Sequence, residues 1–101
     1  MAQFDVYKNA GGGIYPLVID IQSDLLSKLA TRVVVPLARR DRYPIPLARA
    51  TPIANIEGVD YVLVVPLLAA VAASTLGKPH ASLAHHRADV IAAIDLVFTG
   101  S

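Results

Sequence analysis

The chain has 101 residues, a formal net charge of +1, no cysteine, 54% apolar residues and 17% charged residues. This length suits a single domain spanning residues 1–101, and the absence of cysteine excludes disulfides, thiolate zinc sites and a thiol nucleophile. The small net charge argues against direct nucleic-acid binding through a broad basic surface. The excess of apolar over charged residues predicts a homodimer or an obligate partner.

The N-terminal part of the chain predicts two strands joined by a glycine-rich hairpin. Phe4 and Val6 alternate with polar residues, and residues 9–13 read Asn-Ala-Gly-Gly-Gly, which predicts a flexible connection rather than a phosphate-binding loop. Apolar side chains then recur at every second position, as in a strand with one face on a core; these are Tyr15, Leu17, Ile19 and Ile21.

The middle of the chain predicts a buried strand followed by an exposed basic loop. Residues 25–31 form a short connection, and the β-branched run 33–35 suits a strand that is covered on both faces. Pro36 is expected at the edge or the end of that strand, because proline lacks a backbone donor. Residues 39–46 contain three arginines and are typical of an exposed loop.

Two more strands are predicted beyond that loop. Residues 52–56 and 59–65 flank a compact Glu57-Gly58 turn. Residues 61–77 carry no charge, but the run is short for a membrane helix and contains a proline, so it predicts a buried strand and another short buried element. The N-terminal residues lack the pattern of a signal peptide, and we expect a cytoplasmic location without membrane contact.

A single amphipathic helix is predicted over residues 83–101, with Ser82 as its N-cap and Gly100 near its end. Its apolar stripe consists of Val90, Ile91, Ile94, Val97 and Phe98. Short strands that end in one helix indicate a mainly β fold with a C-terminal α-helix, arranged as a small antiparallel β-barrel capped by that helix.

The titratable side chains form no enzymatic constellation. His85 and Asp89 have the i, i+4 spacing of metal ligands, but one imidazole and one carboxylate make a weak site, and we interpret them as a solvated helix start with an ion pair. The serines lie in no nucleophile-elbow sequence. We therefore predict that the protein is not an enzyme and has no catalytic residue, metal or cofactor.

Two polar segments indicate contacts with other molecules. Arg39, Arg40 and Arg42 form the densest positive patch, which suits a solvated loop, an acidic protein segment or an RNA backbone. Residues 20–26 supply two carboxylates, an amide and a hydroxyl before exposing two leucines. Composition alone predicts a strand end there, with a turn closed by an Asx or Ser cap.

Several stretches combine in an order and spacing that resemble one known family. They are Gln3-Phe4-x-Val6-Tyr7, Val18-x-Asp20-x-Gln22-Ser23-Asp24 and Val33-Val34-Val35-Pro36-Leu37-Ala38, followed by Pro52, Ile56, Ala69, Val71, Ser74, Gly77, Ala81, Leu83, Asp89, Ala93, Ile94, Leu96, Phe98 and Gly100. Over nearly its whole length the chain is similar to the CcdB family, the toxin half of a toxin–antitoxin pair. The resemblance implies an SH3-like barrel of the CcdB/MazF type with a small extra sheet, assembled as a homodimer.

The resemblance also implies a function. Family members bind the A subunit of DNA gyrase, trap its cleaved-DNA complex and are neutralised by a CcdA-like antitoxin. Carried onto this sequence, the implied gyrase-binding residues are Leu25, Leu26, Asp95, Phe98, Thr99, Gly100 and Ser101. Most members end in Trp-Gly-Ile, whereas this chain ends in Thr-Gly-Ser, and losing an aromatic anchor predicts weaker poisoning. Arg39, Arg40 and Arg42 are the expected antitoxin contacts.

Two other functions stay open at this point. A non-toxic homologue that binds only the antitoxin would fit the altered C-terminal residues. An endoribonuclease of the MazF type on the same barrel would need a basic groove with a nucleophile or general base near an arginine, because fold alone does not determine activity.

Overall fold

The computed structural model describes residues 2–43 and 47–100. Within these ranges it contains seven strands and one α-helix: β1 Asp5–Lys8, β2 Leu17–Asp20, β3 Thr31–Arg39, β4 Ile53–Ile56, β5 Val59–Leu63, β6 Ala69–Ala72, β7 Ala81–Ser82 and α1 Arg87–Thr99. The strands pair antiparallel in the order β4-β5-β3-β2-β1-β7 and form a nearly closed barrel that α1 covers. The predicted fold class, mainly β with a C-terminal helix, is confirmed.

Strand β3 is the centre of the sheet. One edge pairs with β2, while the other pairs first with β6 at residues 31–34 and then with β5 at residues 37–39. The extra sheet that the family resemblance implied is thus β6 hydrogen-bonded into the same sheet, on the N-terminal half of β3.

Pro36 lies inside β3, so its expected place at the edge or end of the strand is wrong. It pairs with Val18 of β2, and its carbonyl accepts a hydrogen bond from the Val64 amide at 3.0 Å. Pro36 falls between the β6 and β5 pairings on the other edge of β3. The absence of a backbone N–H at Pro36 is tolerated, because the strand paired with this edge of β3 changes there from β6 to β5.

The side chains of β3 are covered on both faces, as predicted for its β-branched run. Val35 and Leu37 point into the barrel, where they pack with α1 residues such as Val90. Val34 points to the opposite face and packs with a smaller cluster of Tyr7, Val18 and Leu76.

The two predicted hairpins are present. Residues 9–16 join β1 to β2, and Glu57 (φ 53°) with Gly58 (φ 83°) forms the turn between β4 and β5. Both φ values are positive, which is the conformation that a two-residue hairpin turn requires. The connection predicted over residues 25–31 is also found: it spans residues 21–30, contains a 3₁₀ turn at Asp24–Leu26, and ends where β3 begins at Thr31.

The uncharged segment 61–77 is less buried than predicted. Residues 62–65 are buried, but β6 is largely exposed, so the second element expected to be buried is not. The alanines of β6 pair with β3 at the periphery of the barrel. In the part of the chain that the structure describes, no helix has the length and hydrophobicity needed to cross a bilayer.

Helix α1 begins later than predicted. A 3₁₀ turn, Ala84–His86, precedes it, and its N-cap is His86 without a side-chain cap, so the predicted cap Ser82 is wrong for the α-helix. The Ser82 hydroxyl instead accepts a hydrogen bond from the Ala84 amide at 3.3 Å. Gly100 ends the helix as predicted, with φ 75° and its amide donating to the Leu96 carbonyl at 3.0 Å.

Candidate protein-binding site

A turn after β2 presents two leucines to solvent. Leu25 is 94% exposed and Leu26 is 51% exposed on the 3₁₀ turn Asp24–Leu26. The Ser23 hydroxyl accepts a hydrogen bond from the Leu25 amide at 3.2 Å, and the Gln22 amide donates to the Asp20 carboxylate at 3.0 Å. The predicted Asx and Ser caps are therefore both present, and the leucines are exposed as expected.

A buried ion pair lies beneath this turn. Asp20 Oδ2 accepts a hydrogen bond from Arg32 Nε at 2.8 Å and lies 2.6 Å from the charged Arg32 Nη2, and both side chains are at most 1% exposed. Burial, together with the carboxylates of Asp5 and Asp20, raises the pKa of the neighbouring Tyr7 phenol. Among the described residues, Tyr7 Oη and Arg32 Nη1 have no hydrogen-bond partner.

Sequence reasoning missed this pair, although a signal for it was available. Asp20 ends an alternating apolar strand, and Arg32 directly precedes the β-branched run of the next strand. Two opposite charges at the facing ends of consecutive antiparallel strands are within reach of each other, and a charge inside an apolar strand needs a partner.

The C-terminal turn of α1 presents a second apolar surface. Val90 and Ala93 are buried and Ile91 and Ile94 pack against the core, but the predicted stripe does not remain buried to its end. Val97 is 37% exposed and Phe98 is 67% exposed. A phenylalanine left in solvent at a helix end is available to a partner.

The remaining predicted residues of this tip are also at the surface. Asp95, Thr99 and Gly100 are exposed, and the Thr99 hydroxyl donates to the Asp95 carbonyl at 2.7 Å. Ser101 lies outside the described residues. The predicted gyrase contacts therefore lie on two separate elements, the turn of Leu25 and Leu26 and the last turn of α1.

The arginine loop carries less free positive charge than its sequence indicates. Arg39 Nε and Nη2 each donate to the Asp41 carboxylate at 3.1 Å. This hydrogen-bonded pairing holds the pKa of Asp41 below and that of Arg39 above their usual values. Arg40 and Arg42 are exposed on the 3₁₀ turn Arg40–Arg42.

A cavity of about 510 Å³ opens beside this loop, lined by Arg39, Arg40, Asp41, Gly58, Val59 and Asp60. Its two arginines face two carboxylates, so it is not a groove of one charge. Of the loop predicted over 39–46, residues 40–43 lie outside any strand, whereas Arg39 is the last residue of β3 and pairs with Tyr61; residues 44–46 lie outside the described residues.

Two of the histidines lie close to carboxylates at the surface, at distances that make an ion pair when the imidazole is protonated. His86 Nδ1 lies 3.7 Å from an Asp89 oxygen, and His80 Nε2 lies 3.5 Å from a Glu57 oxygen. The ion pair at the helix start therefore uses His86 rather than the His85 that the i, i+4 spacing indicated. Within the residues described, no three histidine, aspartate or glutamate side chains cluster as metal ligands.

The fold and these surfaces define a class of protein. It is a small antiparallel β-barrel with a C-terminal helix, and its two most exposed large apolar side chains among the described residues, Leu25 and Phe98, lie on a turn and on a helix end. Comparison with protein-family models gives a match to the model described as CcdB protein, over residues 3–100. The chain therefore belongs to the CcdB family, the toxins of the CcdA/CcdB toxin–antitoxin system. The family suggested by the sequence motifs is confirmed.

Proposed function

We propose that this protein binds the A subunit of DNA gyrase as a non-enzymatic toxin and is neutralised by a CcdA-like antitoxin. The observation that carries the proposal is the exposure of Leu25 and Phe98, at 94% and 67%, on elements held by hydrogen bonds. Apolar side chains carried on hydrogen-bonded elements cost less backbone entropy on binding than those on unstructured segments, and such side chains serve as anchors of interfaces. Family membership supports the gyrase A subunit as the partner proposed for these anchors.

The full set of proposed gyrase contacts is Leu25, Leu26, Asp95, Phe98, Thr99, Gly100 and Ser101. Burying one exposed leucine or phenylalanine side chain contributes about 1.5–3 kcal/mol. Thr99 cannot supply the stacking surface of the tryptophan that most family members carry at this place. Poisoning is therefore expected to be weaker than that of a family member with a Trp-Gly-Ile end.

The test is a gyrase cleavage assay with the purified protein beside its Thr99→Trp, Ser101→Ile double variant. We expect both to accumulate cleaved complex, the double variant at about 30-fold lower concentration, because an anchor residue is worth about 2 kcal/mol. Leu25→Ala should raise the required concentration about 10-fold. Leu29→Ala is the matched control, since Leu29 is also exposed, at 52%, but is not a proposed contact.

Two other results of this assay would change the proposed function. If cleaved complex accumulates only with the double variant, the result would favour the second candidate function, a non-toxic homologue that binds only the antitoxin. The Thr-Gly-Ser end is the feature that favours this candidate. If neither form acts on gyrase, the gyrase assignment is wrong, and RNA cleavage becomes the next activity to assay.

Antitoxin binding is proposed to use the arginine loop. Arg40 and Arg42 are exposed and carry charges that an acidic, partly disordered segment can approach. Replacing Arg39, Arg40 and Arg42 together by glutamine should weaken antitoxin binding about 10-fold at low salt and flatten its salt dependence. The matched control replaces Lys8, Lys28 and Lys78 by glutamine, which removes the same charge elsewhere. Equal losses in both triple variants would contradict the assignment to the loop.

A further inference from the structure

The turn that carries Leu25 and Leu26 is not held in place by packing. It contains no buried residue, and residues 24–30 are all exposed. Two adjacent leucines without core contacts would be free to change conformation, since a segment with few buried apolar contacts opens at little cost. Its geometry therefore depends on polar contacts with the barrel.

Gln22 supplies the main contact of this kind. Its side chain is 6% exposed, its Nε2 donates to the Leu26 carbonyl at 3.0 Å, and its Oε1 accepts from the Val33 amide at 3.0 Å. Val33 belongs to β3, and its carbonyl accepts from the Ile21 amide at 3.0 Å. The side-chain amide of Gln22 thus extends the β2–β3 pairing past the end of β2. It links the leucine turn to β3, the central strand.

The backbone of Gln22 is also fixed. Its backbone N–H donates to Asp20 Oδ1 at 3.0 Å, and the Asp20 carboxylate is itself paired with Arg32 in the buried ion pair. Two residues further along the chain, the Asp24 carboxylate accepts a hydrogen bond from the Gln3 backbone N–H at 2.8 Å. A side chain that is nearly buried and donates and accepts at the same time has little conformational freedom.

We infer that Gln22 is a positioning residue, which presents Leu25 and Leu26 to the gyrase A subunit without touching it. This inference rests on the proposed function for the identity of the partner. If only a fraction of the molecules holds the turn in its binding geometry, the apparent affinity falls to that fraction of the intrinsic affinity. Loss of the Gln22 contacts therefore weakens binding although the leucines are unchanged.

The test uses Gln22→Glu, which keeps the oxygen facing Val33 but puts an oxygen in place of the donor to Leu26. Asn9→Asp is the matched control, because Asn9 Nδ2 makes the same kind of bond, to the Tyr15 carbonyl at 2.9 Å, in the β1–β2 hairpin. Both variants exchange an amide donor for a carboxylate of equal size. Amide hydrogen exchange is measured on the full chain, and affinity is measured against the purified gyrase A subunit.

Gln22→Glu should accelerate exchange at the amides of Leu25, Leu26 and Ser27 about 10-fold, as loss of a buried hydrogen bond does, and Asn9→Asp should not. The apparent Kd for the A subunit should rise by a similar factor. Leu25→Ala should also cost less in the Gln22→Glu background than in the unmodified protein, because the two changes act through one turn.

Unchanged exchange at the turn, or equal acceleration in both variants, would overturn the positioning role. Accelerated exchange with unchanged affinity for the A subunit would leave Gln22 as the residue that orders the turn and would overturn the proposed contact of Leu25 and Leu26 with gyrase.

Discussion

At the scale of single residues, the paired charges of Asp20 and Arg32 have the largest structural consequence. Both side chains are almost completely buried, Asp20 at the end of β2 and Arg32 in β3, the strand at the centre of the sheet. A buried charge without its partner is strongly unfavourable, since the interior cannot replace its hydration. Gln22, hydrogen-bonded to Asp20 through its backbone, connects this pair to the proposed binding turn.

Asp20→Asn should lower the free energy of unfolding by about 3–5 kcal/mol, because it leaves the Arg32 guanidinium buried without a counter-charge. Urea denaturation measures the change. Asp41→Asn is the matched control, as it removes one carboxylate from the exposed pair with Arg39, and it should leave the urea midpoint unchanged. A buried pair that can be broken without a shift in the midpoint would contradict this account of the site.

At the scale of elements, the β1–β2 hairpin shows how local hydrogen bonds replace packing. The sequence predicted a flexible glycine-rich connection, and in the structure backbone hydrogen bonds close two successive turns within it. The Gly12 amide donates to the Asn9 carbonyl at 3.1 Å, and the Tyr15 amide donates to the Gly12 carbonyl at 3.0 Å. A Cβ atom at Gly12 would collide with the Tyr15 carbonyl and with the Asn9 side chain.

Gly12→Ala should therefore lower the free energy of unfolding by about 1–3 kcal/mol through steric strain in this hairpin. Thermal denaturation followed by circular dichroism measures the loss. Gly77→Ala is the control, because a Cβ atom there meets no heavy atom within 4 Å. Similar losses in both variants would contradict the close approach at residue 12 as the cause of the destabilisation.

At the scale of the whole molecule, the barrel leaves large apolar side chains at its surface. Among the described residues, those exposed by about half or more are Ile14, Leu25, Leu26, Leu29, Leu47, Leu67 and Phe98. They lie on several elements, including turns, a loop and the end of α1. A small protein with this much exposed apolar surface is expected to associate, which supports the proposal of a homodimer.

The homodimer predicts an unfolding midpoint that rises with protein concentration, because association stabilises the folded chain by mass action. Urea denaturation over a hundred-fold range of concentration, together with sedimentation equilibrium, measures this dependence. Coincident transitions by fluorescence and circular dichroism would support the proposal that residues 1–101 fold as one domain. A midpoint independent of concentration and a monomer mass would contradict the dimer.

The sequence by itself determined strands β1 to β5, the hairpins and the C-terminal helix, because alternation, glycine-rich turns and helical spacing are local properties, but it predicted neither β6 nor β7. It also determined the exposure of Leu25 and Leu26 after capped turns. Only the tertiary structure decided that Pro36 fits inside β3, since that depends on where the neighbouring strand changes. It likewise decided that Asp20 pairs with Arg32 and that Gln22 joins β3 to the leucine turn. These contacts cross between segments about ten residues apart, and their geometry follows from strand register, which local patterns do not specify.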